Sequence, residues 1–98
     1  MNWGIIGNAT SEGWGGKDII MSVNPENSCI YYLKKVKLSK GDFRFRMNND
    51  WGNSIGLNLD GSLVYDGYNL KISEDGLYDV VLDISIKSKP KYSVEKLD

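Results

Sequence analysis

Trp14 lies in Ser11-Glu12-Gly13-Trp14-Gly15-Gly16-Lys17, and Trp51 in Asn48-Asn49-Asp50-Trp51-Gly52-Asn53. Neither segment supplies apolar neighbours from which to build a core. A large aromatic side chain on a polar loop leaves much apolar surface wet, which ligand binding explains and packing does not. An exposed indole beside cationic and amide groups suits a sugar. The C–H face of the ring stacks on the aromatic plane, and its hydroxyl rim takes hydrogen bonds from polar side chains. Arg44 and Arg46, shortly before Trp51, are such donors, and Tyr65 and Asn69 are weaker candidates. The alternative for Trp14 and Trp51 is that each folds back as a lid over one end of the domain. Trp3 opens the apolar run Trp3-Gly4-Ile5-Ile6 and is expected in the core.

Other chemistries find little support. The chain has no histidine, which removes the commonest general base and metal ligand and any Ser-His-Asp or Cys-His arrangement. Hydrolysis of a glycoside needs two carboxylates flanking the bond, one of raised pKa. Asp50, Asp60, Asp66, Asp75 and Asp79 are available, but most stand in or beside turns, where such side chains bond their own backbone. Asn48-Asn49-Asp50 offers oxygen ligands without the spacing of a calcium loop and reads as a turn. The single cysteine, Cys29, sits in an apolar run and is expected buried and inert. No enzyme activity, metal or cofactor is therefore expected. Twelve basic against thirteen acidic residues give a net charge of −1, which argues against nucleic acid as a partner.

The elements that must position the tryptophans are short strands. With 98 residues, 41% of them hydrophobic and 26% charged, the chain reads as one globular domain over residues 1–98. Turn signals recur at Lys40-Gly41-Asp42, Asn48-Asn49-Asp50, Asp60-Gly61, Asp66-Gly67 and Glu74-Asp75-Gly76. That rhythm marks an antiparallel sandwich or barrel. Strands are expected near 2–6, 18–22, 29–38, 42–47, 54–58, 62–65, 68–73, 77–85 and 91–97, with little or no helix. In Phe43-Arg44-Phe45-Arg46-Met47 a period of two sends the phenylalanines inward and the arginines outward. The expected core joins Phe43, Phe45, Tyr78, Val80 and Leu82, with Ile5, Val36 and Leu38 nearby. Pro90 suits the start of an edge strand.

The ordered segments Trp3-Gly4-Ile5-Ile6-Gly7, Gly13-Trp14, Gly41-Asp42-Phe43-Arg44-Phe45-Arg46, Asp50-Trp51, Gly67-Tyr68-Asn69-Leu70 and Gly76-Leu77-Tyr78-Asp79-Val80-Val81-Leu82-Asp83 carry a family resemblance. The chain resembles the carbohydrate-binding domains of the SusE/SusF outer-membrane starch-binding proteins of Bacteroidetes, from Trp3 to about Leu97. The resemblance implies an immunoglobulin-like antiparallel β-sandwich that binds α-1,4-glucan without hydrolysing it. It implies a platform of Trp14 and Trp51, with Arg44, Arg46 and Asn69 holding sugar hydroxyls. It also implies a C-terminal module of a longer surface lipoprotein at the outer membrane, working within a glycan-import complex and monomeric when isolated. Tyr68 departs from the acidic residue common in relatives, and Cys29-Ile30-Tyr31-Tyr32 from a tryptophan. The expected geometry has both indoles partly exposed on one surface at the end of the sandwich, with Arg44 beside them. The rival reading is a structural spacer or protein-interaction module, in which both indoles pack inward.

Overall fold

The computed structural model describes residues 2–97 and contains ten β-strands and no α-helix among them. They are β1 (Trp3–Ile6), β2 (Ile19–Ile20), β3 (Ser22–Asn24), β4 (Asn27–Leu38), β5 (Gly41–Met47), β6 (Asp50–Leu57), β7 (Leu63–Tyr65), β8 (Leu70–Ile72), β9 (Gly76–Asp83) and β10 (Lys91–Leu97). One sheet runs β2-β1-β5-β6-β7, with β8 on the first half of β5. The other runs β10-β9-β4-β3. Every pairing is antiparallel, and the two sheets form a sandwich around one core.

Alternation sets the faces. Phe43 and Phe45 are fully buried and meet edge to face, with ring centroids 5.6 Å apart. They join Ile5, Leu38, Ile55, Tyr78, Val80 and Leu82 in the core, with Val36 half-buried against it. Trp3 is buried there too. Pro90 immediately precedes β10, which is an edge strand, so its missing N–H costs no ladder bond.

Three expectations need correction. The strand expected over 18–22 is two strands: β2 pairs with β1 in the first sheet, and β3 pairs with β4 in the second. Met21, buried between them, marks the corner where the chain changes sheets. Trp51, read as a loop residue, stands on β6, which begins four residues before the expected start at 54. Cys29 is half-buried rather than buried.

Candidate functional site

The site begins with a turn. β5 and β6 are joined by Asn48 and Asn49, with φ of 53° and 56°, between the paired residues Met47 and Asp50. Two consecutive left-handed residues make the tight hairpin turn whose twist suits the strands, and asparagine tolerates that conformation. The ladder then jumps, because Met47 faces Asp50 while Arg46 faces Ser54. Trp51, Gly52 and Asn53 are thus left without β5 partners and bulge from the ladder. The Asp50 carboxylate secures the bulge, accepting from the Gly52 N–H at 2.9 Å and the Asn53 amide at 3.2 Å.

Trp14 arrives on the long segment after β1. Its start is tied to β5: the Ala9 N–H donates to the Asp42 carbonyl at 3.0 Å, and the Asp42 N–H to the Asn8 side chain at 2.6 Å. The segment folds on itself through the Thr10 N–H and hydroxyl, both donating to the Gly7 carbonyl, and through a Gly7–Gly13 bridge. These bonds deliver Trp14 to Trp51. The ring centroids are 6.1 Å apart and the planes meet at 31°. Trp14 is half-buried, and Trp51 is 47% exposed.

Beneath Trp51 is Arg46, its guanidinium carbon 4.6 Å from the ring centroid. This is a cation–π contact on one face of the indole. Arg46 is itself buried and held by Asp18, with Nε donating at 3.1 Å and Nη2 at 2.5 Å to the two carboxylate oxygens. The side chains of Arg46 and Asp18 are 8% and 1% exposed, so the pair is shielded from water and salt. Gly4, opposite Arg46 on β1, makes room: a Cβ there would lie 2.8 Å from the Ile19 carbonyl oxygen and 3.2 Å from the Asp18 Cβ. A groove of about 320 Å³, lined by Gly16, Lys17, Asp18, Ile20, Arg46 and Asn49, opens beside the pair.

Trp14, Trp51 and Arg46 thus come together at the hairpin end of β5, Trp14 from the loop segment after β1 and Trp51 from the start of β6. The cation beside the indoles is Arg46, where Arg44 was expected. Arg46, expected as a donor to sugar hydroxyls, instead gives two N–H groups to Asp18 and supports Trp51 from behind. Arg44 shares the outer face two residues away, about 7 Å along the strand. It is half-buried, and its Nε is buried without a hydrogen-bond partner. Asn69 lies farther off, donating to Asp42 at 3.2 Å near the opposite end of β5. Arg46 to Asp42 is four residues, roughly 13 Å of strand, so Asn69 does not join the indoles. Tyr65 pairs with Ile55 and so lies on the core side of the sheet, away from the platform. Asp18 escaped the sequence reading. Its one signal was Gly4, a glycine inside an apolar strand, which marks the close approach of another segment.

Comparison of the chain with family models, curated proteins and solved structures finds no match.

Proposed function

We propose that this domain is a non-catalytic glycan-binding module, that its ligand is α-1,4-glucan, and that Trp14 and Trp51 are its stacking platform. The reading rests on the tilted, partly exposed indole pair. Two planes at 31° match a chain whose successive rings turn, as in helical α-glucan, better than a flat polymer such as cellulose. The buried Arg46–Asp18 pair favours the same reading, since it holds Trp51 in place before any ligand arrives, which lowers the ordering cost of binding. Arg44 and Asn69 lie along the outer face for a longer oligosaccharide to reach. The immunoglobulin-like character of the sandwich, the likeness to the SusE/SusF domains, the parent outer-membrane lipoprotein and the surface glycan-import complex belong to the same proposal. In the rival spacer reading the indoles pack inward; the 47% exposure of Trp51 favours the glycan reading.

The experiment is a titration of tryptophan fluorescence with maltohexaose and, separately, cellohexaose, backed by calorimetry. Maltohexaose should change the emission and bind weakly, as suits a two-ring platform. Trp51→Ala should abolish that response while the domain stays folded, and no reducing sugar should be released. Preference for cellohexaose would move the ligand to a flat glucan. Silence toward both sugars would favour the spacer.

A further inference from the structure

β10 ends the second sheet and bonds to β9 alone among the described residues. Its register sets Tyr92, Val94 and Lys96 opposite Leu82, Val80 and Tyr78, on the core side, and Lys91, Ser93 and Glu95 on the outer side. The core side is incompletely covered. Tyr92 meets the Phe45 ring edge-on at 6.4 Å, yet 38% of it is exposed. Between β10 and β8 runs a groove of about 490 Å³ with Phe43, Leu70, Tyr78 and Tyr92 among its apolar lining and Lys71 and Ser73 among its polar lining. The outer side carries an unbalanced charge. Glu95 stands directly opposite Asp79 across the ladder and forms no ion pair among the described residues, while Asp79 has Lys34 at 4.0 Å. Like charges facing each other across two strands are destabilising.

We propose that this edge is a self-association surface, and that its partner is β10 of a second copy, antiparallel about a two-fold axis at Ser93. A two-fold pairing must centre on a residue if facing side chains are to share a side of the sheet. Centred on Ser93, it sets Lys91 against Glu95 of the partner subunit, and the reverse, on the outer side. On the core side it sets Tyr92 against Val94 of the partner subunit, again twice. Centred on Val94, it leaves Glu95 facing a serine. Centred on Glu95, it sets two carboxylates face to face. Among residue-centred registers that pair β10 residues with β10 residues, only the one centred on Ser93 sets Glu95 against a lysine. Lysines on a free strand usually discourage such pairing. Here an acid four residues after Lys91 turns that lysine, which also faces Asp83 across the β9–β10 ladder, into half of a self-complementary pair. The second strand also extends the sheet over the groove and covers Tyr92. One strand pair buries less than the roughly 1,600 Å² of a standard interface, so the dimer is weak and concentration-dependent, in place of the monomer expected of the isolated domain.

Sedimentation equilibrium over a concentration series at low salt tests this. The dimer fraction should rise with concentration and fall with added salt. Lys91→Glu or Glu95→Lys alone should weaken dimerisation about tenfold or more, and the double swap should restore it. In a Cys29→Ser background, Ser93→Cys should form a covalent dimer under mild oxidation far faster than Ser11→Cys, since facing residues at the axis lie within disulfide reach. These side chains face outward, so circular dichroism should show every variant folded. A monomer at all concentrations, equal cross-linking of both cysteine variants, or a dimer indifferent to the single swaps would each overturn the proposal.

Discussion

Arg46 and Asp18 show how much of this site hangs on one ion pair. Both side chains are almost wholly buried, and the Arg46 guanidinium stands over the indole that the proposed ligand would stack on. Removing one partner of such a pair leaves a buried charge alone, which costs about 3–5 kcal/mol. Asp18→Asn should therefore lower urea stability by about that amount. Where it remains folded, it should also weaken maltohexaose binding, because Trp51 loses its support. Asp18→Leu combined with Arg46→Met removes both charges and should cost less than either substitution alone. A double-mutant cycle followed by urea denaturation measures the coupling, and strict additivity would show that the pair contributes nothing beyond two separate side chains. Trp51→Ala gives up the Arg46 cation–π contact and the Trp14 ring contact, so its stability cost should be about 1–3 kcal/mol.

The β5–β6 hairpin is the element that lifts Trp51 out of the ladder. Its turn needs two left-handed residues in succession, and each costs a β-branched side chain about 1–2 kcal/mol. Asn49→Gly should be tolerated or slightly stabilising, while Asn49→Val should cost about 1–2 kcal/mol. The valine variant should also weaken glycan binding, read by the same fluorescence titration, because a reset turn moves the bulge that carries Trp51. At this scale the sequence was most legible. Phe43-Arg44-Phe45-Arg46 could be placed because two phenylalanines cannot both be left in water, and the turn signals marked the successive junctions from β4 to β9. Two things escaped. The change of sheet at Met21 falls within a continuous apolar run, and nothing local separates Ile20 from Ser22 as members of different sheets. The burial of Arg46 depends on Asp18, 28 positions away, so the local pattern could show only that the arginine faced outward. The same blind spot put Arg44 beside the indoles in place of Arg46.

At the scale of the whole molecule, one core carries the domain. Phe45 touches both Phe43 and Tyr92 and is fully buried, so Phe45→Ala should cost about 3–5 kcal/mol by urea denaturation, a large share of the stability of a domain this small. The pH dependence should be plain in form. With no histidine, no side chain has its ordinary titration between about pH 5 and 7. Asp60 and Asp83 have carboxyls held below their ordinary range. In each case the serine two residues on, Ser62 or Ser85, donates its hydroxyl and then its backbone N–H to the carboxylate. A carboxyl lowered by folding adds stability that is complete above its unfolded pKa and is lost as pH falls through the folded one. Both groups lie at the surface, so the effect is small, and its window is acidic, below about pH 4. Urea midpoints and maltohexaose affinity should therefore be level from about pH 5 to 7, with stability declining only on further acidification. A transition centred between 5 and 7 would require a carboxyl shifted upward, opposite in direction to Asp60 and Asp83. That is the signature of a general acid. Found together with sugar release, such a transition would turn the proposed binding surface into an active site.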